Sequence, residues 1–268
     1  MRKLLSVFTL SAVMLLTGCD IIDINNTTKP YTPTGGGKTV LIKDFTGVRC
    51  VNCPAAAEVA HELQHQLGED RVFIMSVHAG FLATAVGLFP DFTTPEGTEW
   101  YNNNSANPLF SVDHVALTEG NTLNESQIDT PVSDALAEPQ TFDIAIENSY
   151  DESTRQLRVN STMTSVSEYT GDLYVTVCLL EDSIVGRQVV PGGIDTAYMF
   201  RNVFRGTLNG VDGERIANGP VYVDDEFTKE YTTTLDEAYN ADQCYIMTYV
   251  ADKGLGGKIL QTMVEKIK

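Results

Sequence analysis

Two of the five cysteines in this 268-residue chain, Cys50 and Cys53, form a C-x-x-C pair in Arg49-Cys50-Val51-Asn52-Cys53-Pro54. Such a pair can close a small-ring disulfide or attack other disulfides, and the thiolate is the reactive form. Cys50 is expected to be the exposed nucleophile, helped by a helix N-terminus and by Arg49, with Cys53 one turn in as the resolving thiol. A purely structural disulfide is the alternative. Zinc is a weaker rival, because one pair supplies two of four ligands and no second C-x-x-C exists. A second motif is His61-Glu62-Leu63-Gln64-His65, an H-E-x-x-H whose histidines at i and i+4 can share zinc on one helix face. His78 and His114 stand alone; His78 can assist a thiolate or simply end a strand, and His114 reads as structural.

These residues need elements to hold them. Thr39 to Thr46 (TVLIKDFT) is short, apolar and β-branched, as is Val72 to Val77 (VFIMSV), and Ala55 to Leu67 between them has a helical period. The three predict a βαβ unit with the dithiol at its turn. The helix's core face would be Ala56, Val59, Ala60, Leu63 and Leu67, which aims His61 and His65 into water and makes a solvated face the alternative to a metal site. Residues 79–107 are long for a loop and rich in Gly, Pro, Asn and aromatics, so they are functional or carry short helices. Pro108 then opens a strand at Leu109 to Leu117, and a helix is expected within Leu123 to Ala137.

From Pro139 the period becomes two. Phe142, Ile144 and Ile146 alternate with polar residues, and strand-like runs recur at Asp172 to Leu180, Tyr198 to Leu208, Glu226 to Leu235, Gln243 to Val250 and Lys258 to Val264. About seven short strands between turn signals predict an antiparallel β-sandwich. Cys178 and Cys244 fall in two of these strands, where they either bridge or stay as buried thiols.

The first residues speak to compartment. Arg2 and Lys3 precede an apolar run, Leu4 to Leu16, too short for a permanent membrane span. The run ends in Leu16-Thr17-Gly18-Cys19, which resembles the bacterial lipobox and implies cleavage before Cys19 and lipidation of its thiol and amine. An ordinary signal peptide with an incidental cysteine is the alternative. Asp20 to Lys38 reads as a flexible tether. The formal net charge is −18, and removal of residues 1–18 leaves 16 basic against 36 acidic residues, or −20. That balance argues against nucleic acid and anionic membrane surfaces as partners. No cofactor is called for.

Asp44-Phe45 followed after four residues by Cys50-x-x-Cys53 resembles the thioredoxin superfamily, and Asn107-Pro108 before a strand is similar to that family's cis-proline. The resemblance implies a thioredoxin-like domain in which Asp44 takes the proton of Cys53 and Pro108 docks substrate backbone. Arg49 stands where many members have tryptophan, and Val51-Asn52 replaces the usual Gly-Pro. The H-E-x-x-H continues in a way that resembles the metzincin zinc proteases, with Arg71 where the third ligand belongs. Over nearly the whole chain the order of parts, including Tyr198-Met199-Phe200-Arg201-Asn202-Val203-Phe204-Arg205, is similar to the outer-membrane-protein-28-related lipoproteins of Bacteroidetes. The expected organisation is a signal peptide (1–18), tether (19–38), thioredoxin-like α/β domain (39–138) and β-sandwich (139–268). The expected function is that of a lipid-anchored outer-membrane protein, on either face, that exchanges disulfides and binds a protein or thiol partner. A surface-binding lipoprotein with a structural disulfide is the alternative, and zinc hydrolysis a remote one.

Overall fold

Every residue of strand β1 (Val40–Thr46) is buried, as is every residue of β2 (Val72–His78). The two run parallel in register, from Val40 opposite Val72 to Thr46 opposite His78. Strands buried on both faces read as unbroken apolar runs. The structure, a computed structural model, describes residues 37–268. The expected signal peptide, Cys19 and nearly all of the tether lie outside the described residues.

Between β1 and β2 lies helix α1 (Cys53–Leu67), with Pro54 in its first turn, where a missing N–H costs nothing. The chain turns out of α1 at Gly68, φ 109°. Ala56, Ala60 and Leu63 recur at i, i+4 and i+7 and pack on Val40, Ile42, Val72 and Ile74. Val59, expected inside, is 43% exposed. Residues 79–107 carry a 3-10 turn at Phe81–Ala83 and helix α2 (Pro95–Tyr101), whose N-cap Thr94 accepts the Gly97 N–H. The Asn107–Pro108 peptide is cis. Strand β3 (Leu109–Val112) then runs antiparallel to β1, shorter than expected. It stops at Asp113, φ 50°, whose buried carboxylate accepts the Leu41 N–H and the Lys38 ammonium. Helix α3 (Asp129–Ala137) closes this part, burying Val132 and Ala135 in the α1 core.

Ten strands follow among the described residues: β4 (Phe142–Asp151), β5 (Gln156–Ser165), β6 (Tyr169–Glu181), β7 (Ile184–Val190), β8 (Gly193–Phe200), β9 (Val203–Thr207), β10 (Glu214–Val221), β11 (Glu226–Thr234), β12 (Cys244–Asp252) and β13 (Lys258–Lys266). The main sheet has the order β13-β12-β6-β9-β2-β1-β3, with β10 also on β6. It therefore takes strands from both sides of residue 138, and the junction is the parallel pairing of Ser76 with Val203. A three-stranded sheet, β11-β5-β4, lies against the β12–β13 end, where the Ser161 and Thr248 hydroxyls meet at 2.9 Å. Strands β7 and β8 form a separate hairpin. The architecture is a mixed α/β sheet with additional antiparallel sheets, mostly β.

The continuous strand expected at Tyr198 to Leu208 is broken. Asn202 adopts φ 49°, so β8 ends at Phe200 and β9 begins at Val203. Val203 then joins β2 while Tyr198 and Phe200 go to the hairpin.

Candidate functional site: the Cys50–Cys53 disulfide and its cleft

Cys50 and Cys53 form a disulfide, Cα–Cα 5.4 Å, at the turn from β1 to α1. Gly47 makes room for this turn. A Cβ there would lie 2.6 Å from the Leu82 carbonyl carbon, so only glycine lets the 81–83 segment approach and Leu82 O accept the Arg49 N–H at 3.0 Å.

The expected exposed nucleophile is not exposed. Cys50 is 2% accessible, as is Cys53. The cover is the β7–β8 hairpin, drawn from more than 130 residues away. Buried Gln188 donates its amide to Cys50 O (2.9 Å) and Gly47 O (3.3 Å), and Val189 N–H donates to Val48 O (3.0 Å). Nor does Arg49 stand free beside the sulfur. Its guanidinium donates to Phe81 O and sits 4.6 Å from the Phe81 ring centroid.

Cys53 faces a different environment. It lines a cleft of about 210 Å³ between the first turns of α1, the ends of β1 and β2, and β8. In register, Asp44 lies opposite Ser76 and Thr46 opposite His78. Side chains two apart share a face, so these four continue the row Val40, Ile42, Val72 and Ile74. The face that is apolar under the body of α1 turns polar beneath its first turns.

Asp44 is 2% exposed, and its Oδ1 has no hydrogen-bond partner among the described residues. Burial alone raises its pKa from 3.8 to about 8, so it holds its proton at neutral pH. His78 is buried and edge-on to Phe92 and Phe200, with ring centroids 4.9 and 5.7 Å away, and its Nδ1 is also unpartnered among the described residues. Burial, with the Arg205 charge, lowers its pKa from 6.5 to about 3 and keeps it neutral. Tyr198 is pushed up to about 12, chiefly by burial, so its phenol remains a donor.

His61 lines this same cleft, contrary to its expected place in water, with Tyr198, Met199 and Phe200 of β8 also in the lining. Its Nδ1 lies 3.4 Å from Gln64 Oε1, and burial lowers its pKa. His65 does point to water, 3.6 Å from Glu69 and 72% exposed. No group of three or more His, Cys, Asp or Glu side chains is arranged to hold a metal among the described residues. Pro108 lies at the dithiol end of the sheet, since the next residue, Leu109, pairs with Phe45 and Asn107 Nδ2 donates to Phe45 O (2.9 Å). His114 Nδ1 is bonded to Val112 O at 2.8 Å, away from the cleft.

Cys178 and Cys244 do not bridge; both are buried free thiols. They lie on neighbouring strands, but Cys178 pairs with Met247 and Cys244 with Glu181, an offset of three residues. An odd offset of that size puts them about 10 Å apart along the strand direction and on opposite faces.

The residues that sequence reasoning did not assign to the site are Gln188, Tyr198 and Arg201. Part of the signal was present, since the aromatic and arginine-rich stretch from Tyr198 was distinctive, yet nothing local said that it would return to the dithiol. Met199 and Phe200 of that stretch also line the cleft, whereas Arg205 is structural. Arg205 makes a two-pronged ion pair with Glu181 (2.9 and 2.6 Å) between the rings of Phe92 and Tyr239.

Fold and site together define a mixed α/β protein with a disulfide at a strand-to-helix turn and a buried, protonated carboxyl in the adjoining cleft. The chain belongs to the family described as outer membrane protein Omp28, whose sequence pattern matches residues 100–268, and its location is the outer membrane. The matched segment begins after the dithiol turn. Among solved structures, HBP35 of Porphyromonas gingivalis aligns at TM-score 0.69 and 16% identity, covering 87% of this chain and 76% of its own, which shows a shared fold. A domain of the outer membrane lipoprotein Omp28 from Porphyromonas gingivalis aligns at TM-score 0.35 and 21% identity, covering 48% of this chain and 89% of its own. No curated protein matches the chain.

Proposed function

We propose that this is a lipid-anchored outer-membrane protein whose residues 39–138 are thioredoxin-like and whose Cys50–Cys53 disulfide undergoes thiol–disulfide exchange. The observation that carries the proposal is Asp44. A buried carboxyl with an unpartnered oxygen costs several kcal/mol, and a disulfide that only staples the fold has no use for it. Beside a cysteine that must gain or lose a proton, it is a proton donor and acceptor. Pro108, at the same end of the sheet, would dock substrate backbone. The remaining strands would form the partner-binding part, and the lipid on Cys19 would hold the chain to the membrane.

The test is exchange with a small dithiol or with insulin, using the purified protein and its Asp44→Asn variant. The disulfide should open and reclose reversibly, and the variant should slow the step roughly ten- to hundred-fold. A disulfide that survives the dithiol in the folded protein would end the proposal.

One observation favours a second reading, a binding protein with a structural disulfide. Cys50 is sealed, while Phe81 (78% exposed), in the 3-10 turn that packs on Arg49, and Val185 (61%), on the covering hairpin, present apolar surface. In that case a Cys50→Ser/Cys53→Ser protein keeps partner binding and loses only thermal stability.

A further inference from the structure

Cys50 and Cys53 are equally buried, at 2% exposure each, but of the two only Cys53 lines the cleft. An attacking thiolate must come at one sulfur from the side opposite its partner. On the Cys50 side the hairpin is tied over the turn's backbone, with Gln188 donating to Cys50 O and Gly47 O and Val189 N–H donating to Val48 O. On the Cys53 side lies the cleft of about 210 Å³. Its size suits a small molecule. Its lining carries opposite charges, Glu58 on α1 and Arg201 just beyond β8, and Arg201 is near enough to act on both His61 and Tyr198. An acid and an arginine around one small cleft match an ammonium and a carboxylate on one ligand.

We propose that the disulfide opens at Cys53, attacked from the cleft by a small zwitterionic aminothiol of the cysteine type, with its carboxylate at Arg201 and its ammonium at Glu58. The proposal rests on the exchange reading above and reverses the cysteine roles that the thioredoxin resemblance implies. The thiol enters as a thiolate, having left its proton in solvent. Its sulfur bonds to Cys53 Sγ, the Cys50–Cys53 bond breaks, and the electron pair leaves on Cys50 Sγ, which takes a proton from water. A second thiolate attacks the small-molecule sulfur of the mixed disulfide. That step releases the oxidised aminothiol and leaves Cys53 as a thiolate, which receives the Asp44 proton; Asp44 recovers a proton from water. In sum two thiols are oxidised to one disulfide and the protein disulfide is reduced to two thiols.

The test uses Cys50→Ser and Cys53→Ser proteins, each offered cystine, with the mixed disulfide located by peptide mapping. Cys53 in the first variant should be modified roughly ten-fold faster than Cys50 in the second. Arg201→Gln in the Cys50→Ser background should slow transfer from cystine roughly three- to five-fold and leave transfer from the uncharged disulfide of 2-mercaptoethanol unchanged. Faster modification of Cys50 overturns the assigned polarity while exchange itself stands. Equal loss for both disulfides in the Arg201→Gln protein overturns the zwitterion assignment. No modification of either variant, with a wild-type disulfide untouched by cysteine, overturns the exchange reading. Should either serine variant fail to fold, acid quenching of the wild type during brief treatment with cysteine, followed by peptide mapping, gives the same answer. Added cysteine on Cys53 supports attack at Cys53, and added cysteine on Cys50 contradicts it.

Discussion

Asp44→Asn keeps the shape of a buried side chain and deletes its titration. In the unfolded chain the carboxyl ionises near 3.8, and in the folded protein near 8. Between those values the folded state holds a proton that the unfolded state has lost. Stability therefore falls as pH rises through the window, by about 1.4 kcal/mol per unit, and the penalty is constant above pH 8. A difference of about 4 units sets a ceiling of about 6 kcal/mol on the whole effect. The absolute offset between the proteins depends on how the amide fits, so the slope is the test. Urea unfolding of both proteins at intervals from about pH 4 to pH 9 supplies it. The wild type should lose stability relative to Asp44→Asn up to about pH 8, and the two curves should run parallel above that. Parallel curves throughout would show that Asp44 titrates normally, and the argument that its burial serves the disulfide would fail.

His78 supplies the opposite dependence. Its folded pKa of about 3 lies below the unfolded 6.5, so the wild type should lose stability relative to His78→Gln as pH falls below 6.5, by about 1.4 kcal/mol per unit, in the same urea series. Gln188→Ala removes the amide that ties the hairpin to Cys50 and Gly47. It should cost about 1–2 kcal/mol and accelerate reduction of the disulfide by a small dithiol, followed by thiol release. Arg205→Met leaves Glu181, 5% exposed, without its partner and should destabilise the fold by about 3–5 kcal/mol in thermal or urea unfolding.

Local pattern made the first βαβ unit legible. Residues 39–78 alternate between two buried apolar runs and one amphipathic helix, and the C-x-x-C marks the turn between them. Asp44 lines the cleft that Cys53 also lines, and Pro108 lies at the same end of the sheet. The hairpin was not legible, because Ile184-Val185-Gly186-Arg187-Gln188-Val189-Val190 has no clean alternation and its burial is set by packing on Val48, Phe92 and Phe200. The same non-local contact explains why Cys50 is sealed and why His61 lines a cleft instead of facing water. The break at Arg201-Asn202 was hidden as well, since an apolar run continues on both sides of a residue whose only cue is an asparagine in the left-handed region. Sequence also cannot show register, which separates Cys178 from Cys244 despite their adjacent strands.

The central claim is that the Cys50–Cys53 disulfide exchanges, and its equilibrium in thiol–disulfide buffers tests it most directly. The folded protein should be reduced reversibly at a potential above about −300 mV, the range of pairs that exchange. A potential well below that value, or reduction only after unfolding, would contradict it and leave the disulfide as a staple.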